Sequence, residues 1–184
     1  MHRLRIAVVA VLAALAAVVV MPGRAMATPF PETWLADSSL HTYCFTAGFA
    51  ASPDPTVGTY GMSVLDTTTD MIISDYGTPC DDNTADVWWF SLNLAAGIRG
   101  EAQCIFFASG NICDSADVRL DFAELDLGDN DFYDRRKTAV HEIGHTIGLG
   151  HHADCAMVSG EIPSTALQWR RYSAHDLTHI NAQY

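Results

Sequence analysis

The stretch that decides how this chain reads is His141-Glu142-Ile143-Gly144-His145-Thr146-Ile147-Gly148-Leu149-Gly150-His151. His141 and His145 are four apart, so on a helix they stand one turn above each other on one face. Two imidazoles so placed can share one metal ion. Glu142 is rotated about 100° from His141 around the helix. That sets a carboxylate beside the ion, where it can take a proton from water without being a ligand. A third ligand cannot come from a straight continuation of the same face, because the axis carries later residues away. Gly148, then Leu149-Gly150, lets the helix stop and the chain turn back, since Gly accepts positive φ at little cost. His151 then returns from another direction. Three imidazoles leave a fourth position open, the pattern of catalytic rather than structural zinc.

A bare H-E-x-x-H is a weak signal that many helices carry by chance. Requiring Gly148 and His151 as well cuts chance matches by roughly two to three orders of magnitude, given Gly at about 7% of residues and His rarer. His152 competes with His151 for the third position. Spacing from Gly148 selects His151, and a one-residue ambiguity stays open at this point.

The stretch resembles the extended zinc motif of the metzincin metallopeptidases. That family has a Met-containing turn below the metal, and Cys155-Ala156-Met157-Val158-Ser159-Gly160 offers one, with Met157 six residues after His151. The short gap is similar to that of the matrixins and of compact bacterial secreted relatives. Ser173 to Tyr184 resembles the closing matrixin helix. The resemblance implies an α/β (α+β) fold. It would have a twisted mixed β-sheet, two long helices, a zinc helix ending at the Gly148 turn, a Met-turn and a C-terminal helix. It implies a secreted zinc endopeptidase with His141, His145 and His151 as Zn2+ ligands and Glu142 as general base. Gly148 would make the turn, and Met157 would be a soft apolar floor under the imidazoles. The Cys-containing latency motif of matrixins is absent from the short lead-in, so a Cys-switch zymogen is not expected. Some matrixin relatives hold Ca2+ in acidic loops, and Asp126, Asp129, Asn130, Asp131 and Asp134 crowd one loop here. Their spacing is not that of an EF-hand. The plainer reading is a solvated loop whose last acids favour a helix N-terminus.

Upstream, residues 1–27 read as a secretory signal. His2, Arg3 and Arg5 start it, Ile6 to Met21 is apolar, and Ala25-Met26-Ala27 fits the cleavage rule, making Thr28 the expected mature start. The apolar run falls short of the ~20 residues a membrane span needs. Residues 28–39, with Pro29 and Pro31, read as an irregular lead-in or short pro-segment, and 40–184 as one catalytic domain. The formal net charge is −12 over the whole chain. The leader carries none of the acids, so the remainder is more acidic still. Such a surface argues against nucleic acid and anionic membranes as partners and favours solubility outside the cell. A protein or peptide substrate is what the family resemblance implies, and a monomer is expected.

The pattern places strands at 41–46, 86–94, 103–108 and 116–122, a helix from Gly58 to Tyr76 weakened by Thr67–Thr69, and the zinc helix at 132–148. Trp88 and Trp89 read as sheet packing rather than a substrate platform. Residues 101–109 are the expected cleft-edge strand, by analogy with the family. Arg135, Arg136 and Lys137 read as partners of the preceding acids. Glu161 to Trp169 reads as a specificity loop. Ser173 with Asp176 makes a capping box, with Leu177, Ile180 and Tyr184 as the apolar stripe of the last helix. His175 and His179, also four apart, read as surface residues because no Glu or third partner accompanies them. Five cysteines make disulfides expected, with one left over. Cys104 with Cys113 is the first expected pair and Cys44 with Cys80 the second, while Cys155 is free or exchanges into either. Two other classes stay open: a zinc-bearing binding or toxin-like module without turnover, and a zinc hydrolase of a non-peptide bond.

Overall fold

Six strands form one sheet: β1 (Leu35–Ala36), β2 (Leu40–Phe45), β3 (Ile72–Asp75), β4 (Val87–Ser91), β5 (Gly100–Ser109) and β6 (Ile112–Leu120). This computed structural model describes residues 30–80 and 84–184, so the expected signal segment lies outside the described residues. The strand order is β1-β6-β4-β2-β3, all neighbours parallel, with β5 antiparallel on β6. The helices are α1 (Ala47–Ala50), α2 (Thr56–Thr68), α3 (Phe122–Leu125), α4 (Asp131–Thr146) and α5 (Ala174–Gln183). The architecture is mixed α/β with a mostly parallel sheet. Parallel β2 and β3 need a crossover, and α1 and α2 supply it.

Apolar side chains at helical spacing on α2 (Val57, Met62, Leu65) and on α4 (Val140, Ile143) meet Val87, Trp89, Val118 and Leu120 of the sheet in one buried core. Burial of this kind contributes about 25 cal/mol per Å² of apolar surface. The two long helices approach closely at Gly61, where a Cβ would lie 3.1 Å from the Ala139 carbonyl oxygen. On β4, Val87 and Trp89 are fully buried while Trp88 and Phe90 are half-buried, so one face is sealed and the other only partly covered. Trp89 packs in the core, as its strand context implied. Disulfides join Cys44 to Cys80 and Cys104 to Cys113, and Cys155 is free and buried. The second closes the β5–β6 hairpin. The first ties β2 to the loop after β3.

Several elements differ from the sequence reading. The first helix ends at Thr68, and residues 72–75 form β3 instead of a last helical turn. Thr67, Thr68 and Thr69 each turn a hydroxyl back onto the carbonyl four residues earlier, at 2.5–2.7 Å. This competes with the helix ladder. β-branched Ile72 and Ile73 then find the open edge of β2. α1, α3, β1 and β3 were not anticipated; each is four residues or fewer, below the length at which periodicity speaks. The irregular lead-in is docked on the rest of the domain. Glu32 N–H donates to the Gly148 carbonyl at 2.9 Å, and Thr33 Oγ1 donates to that of His145 at 2.8 Å. The basic triplet divides three ways. Arg135 pairs with Asp126, Arg136 stacks over Tyr60 and Phe132, and Lys137 turns inward.

His41 on β2 is buried, its Nε2 3.0 Å from Thr146 Oγ1 at the end of α4. Burial pushes its pKa down to about 4. Asp86 lies 3.9 Å from Nδ1, too far to hydrogen-bond, and is itself pushed up by burial, so it does not hold the ring protonated. A depressed folded pKa gives stability that is complete above the unfolded value near 6.5 and is lost as pH falls through the folded one. The expected loss between pH 7 and pH 4 is on the order of 3 kcal/mol. Urea unfolding of wild type and His41→Gln checks this: the stability gap between them narrows as pH falls through that window.

Candidate metal centre

Three side chains converge at the C-terminal end of α4. His141 and His145 leave the same helix face, and His151 comes back to them. The Nε2 atoms of His141, His145 and His151 form a triangle with all three edges 3.1 Å. His141 is buried, His145 half-buried and His151 exposed, so the triangle opens outward on one side. The return is made by a glycine-ended helix. Gly148 sits at φ +104°, and Leu149 N–H donates to the Gly144 carbonyl at 3.0 Å. This is the Schellman pattern, which a side chain at Gly148 would strain. A Cβ there would also press on Phe30 and Leu35 at 3.0–3.1 Å.

The tautomers follow from the second ring nitrogens. His141 Nδ1 lies 2.9 Å from the Ala156 carbonyl and His145 Nδ1 2.8 Å from that of Leu149. A carbonyl only accepts, so both Nδ1 atoms carry the proton and both neutral rings turn an Nε2 lone pair inward. Facing lone pairs at 3.1 Å repel. Protonating them is resisted: burial, then the nearby Lys137 charge, pushes His141 down to about 2, and burial pushes His145 down to about 4. A cation satisfies all three rings together. A triangle of this size accommodates an ion about 2.0–2.1 Å from each nitrogen, the range for imidazole on zinc. These three residues can bind a metal ion.

Of the two adjacent histidines, His151 joins the triangle and His152 does not. His152 Nε2 lies 2.7 Å from Asp176 Oδ1. Asp176 closes the α5 capping box with the N-cap Ser173, as their spacing implied, and its other oxygen accepts Ser173 N–H at 2.8 Å and the Cys155 thiol at 3.5 Å. Burial, with the neighbouring Asp176 charge, pushes that thiol up to about 12. Cys155 Sγ in turn accepts Met157 N–H at 3.2 Å. Asp176 thereby braces both the His151-bearing loop and the turn that holds Met157. His152, Cys155 and Asp176 also gather three potential ligand atoms, but each is already partnered within the brace. Met157 is fully buried under α4, and a Cβ on Gly144 would overlap its sulfur. Tyr172 OH completes this floor by donating to the Val140 carbonyl at 3.0 Å.

The open side of the triangle faces a cleft of about 370 Å³, lined by Gly97 to Ala102, Lys137, Thr138, the three histidines, Glu142, Ser159 and Gly160. The strand side of the cleft is the loop before β5 and its first residues. The rest of the expected 101–109 edge runs on into the hairpin, where Ile105, Phe106 and Phe107 are exposed. Glu142 is only 5% exposed. Burial pushes its pKa up to about 8, against the opposing pull of Lys137 and an N–H donated by Ala102. Gly100 permits this approach, since a Cβ there would stand 2.7 Å from Glu142 Oε1. Lys137 Nζ donates to the Val158 and Gly160 carbonyls, fixing the start of the loop beyond Met157. Lys137, Gly100, Ala102 and Asp176 escaped the sequence reading as site residues. Only Lys137 carried a signal, as a cation one helical turn before His141.

The acidic loop is engaged differently. Asp126 holds Arg135, and Asp134 is buried beside Gly128 and Glu161, the latter paired to Arg99 at 2.6 Å. Among the described residues, this loop is not one of the side-chain groups that bring three potential ligand atoms together. Compared with known proteins, the chain matches no protein-family model and no curated protein.

Two outcomes are expected. Adding a divalent transition metal at a thousandfold excess over its Kd to chelator-stripped protein adds about 4 kcal/mol, roughly a 10 °C rise in Tm for a domain of this size. His145→Ala removes that rise in a calorimetric scan. Gly148→Ala costs about 1–2 kcal/mol through its left-handed backbone and also weakens metal uptake measured by competition with a chromophoric chelator.

Proposed function

We propose that the protein is a secreted, zinc-dependent endopeptidase of metzincin type. The observation that carries the reading is the triangle of imidazole nitrogens at the floor of a cleft whose wall holds a buried carboxylate. Imidazole donors suit zinc, copper, nickel or iron. Three of them with an open side suit catalytic zinc. Zinc held by His141, His145 and His151 would supply Lewis acidity, polarising a scissile carbonyl and acidifying a water.

The chain's own residues do the rest. Glu142 takes the proton of the attacking water and delivers it to the leaving amine. Its raised pKa suits this exchange near neutral pH. Ala102 N–H and the Gly100 approach hold the carboxylate in place, and Lys137 keeps it ionised more often than burial alone would. β5 pairs only with β6 among the described residues, so its outer edge near Gly100 offers backbone groups to an extended substrate. Val158 to Gly160, fixed by Lys137, borders the same cleft and fits a specificity wall. The two disulfides support an extracellular setting.

Glu142→Gln tests the reading. It should keep one tightly held zinc while cleavage of casein or a mixed peptide library falls by about 10²–10⁴-fold. Wild type carrying full zinc and cutting no peptide would defeat the proposal in favour of a binding module or a hydrolase of another bond.

A further inference from the structure

We propose that His175 and His179 on α5 form a second metal site, for a transition-metal dication such as Zn2+, Cu2+ or Ni2+. Their Nε2 atoms stand 3.1 Å apart, the separation found between His141 and His145. The ring arrangements also match. Centroids lie 4.4 Å apart with planes at 78° in this pair, and 4.6 Å apart at 88° in the other. Both pairs are spaced i, i+4 on a helix, and that spacing brings two nitrogens close together twice in the molecule. Imidazoles on a helix surface have other rotamers open to them, and hydration favours separation.

Two surrounding features favour a cation. The His179 ring is stacked on Phe30 at 5.0 Å and 15°, which holds it for a ligand role. Beside the pair lies a small hollow lined by Glu32, His152, Asp176 and the Gly148–Gly150 turn. Asp176 is committed to His152 and the α5 cap, whereas the Glu32 side chain has no hydrogen bond or ion pair among the described residues. Its backbone is anchored on Gly148. Two imidazoles completed by water match the preferences of zinc, copper and nickel. His175 is exposed, so the ion has access from solvent. The chain's acidic charge raises the local concentration of dications. Glu32 lines the neighbouring hollow without closing on both rings, so the donors are the two imidazoles, with water completing the shell.

The site is independent of the peptidase reading. Equilibrium dialysis of the chelator-stripped full chain against Zn2+, repeated with Cu2+, tests it. Wild type should take up two equivalents, one tight and one weaker. His175→Ala should lose only the weaker one, and His141→Ala only the tight one. His175 is exposed and carries no packing, so that variant keeps the fold, which circular dichroism verifies. His179→Ala should repeat the loss. A single equivalent in wild type means the two rings only share a proton, and the proposal fails. It fails equally if the weaker equivalent survives in His175→Ala, which would direct attention to His152, Cys155 and Asp176.

Discussion

The structure depends on an arrangement that is unfavourable by itself: neutral imidazoles turning lone pairs toward a common point. Ordinary packing does not assemble such a group. It is held because the outer nitrogens of two rings are committed to carbonyls, Ala156 for His141 and Leu149 for His145. Those carbonyls belong to the segment that follows the helix, so the loop after α4 dictates the tautomers of residues on α4. The repulsion is then stored in the fold and relieved by a cation. This coupling between outer hydrogen bonds and inner ligation is common at imidazole metal sites.

The supports of the triangle come from far along the chain. Met157 lies beneath Gly144, Tyr172 reaches back to Val140, and Asp176 gathers His152, Cys155 and the first turn of α5. All are buried or nearly so, and each hydrogen bond in the set links two segments that otherwise diverge. The metal-facing loop is therefore constrained from below and behind while its outer side stays open. A rigid base with an accessible face is what a reactive site needs.

Legibility in the sequence followed the range of the interactions. α4, its glycine ending, the three histidines and the α5 capping box were readable because each rests on offsets of a few residues, whereas the Met157 floor came only from the family resemblance. The Cys104–Cys113 pair came within reach because a short strand-to-strand loop joins its cysteines, while Cys44–Cys80, separated by 36 positions, was a second choice that spacing did not decide. What stayed hidden depends on distant partners. Lys137 looks like one member of a basic triplet until its ammonium is seen under the carbonyls of Val158 and Gly160. Asp176 looks like a cap and no more until His152 and Cys155 meet it. β3 was invisible because Ile72 and Ile73 become strand only beside β2, and the preceding threonines end the helix by local hydrogen bonds that composition merely hinted at.

The docking of the earliest described residues has a consequence for how the molecule is made. Phe30 rests on His179, Ala36 N–H donates to the Tyr184 hydroxyl at 2.8 Å, and Glu32 caps the glycine turn. The two ends of the described chain are thus zipped together across the back of the metal loop. Contacts of such sequence separation are slow to form, since loop closure must precede any gain from them. During synthesis, the half that carries the three histidines emerges last and the opening segment waits for it. Assembly is therefore a late, all-together event, and the His151-bearing loop reaches its final shape only when α5 has closed over it.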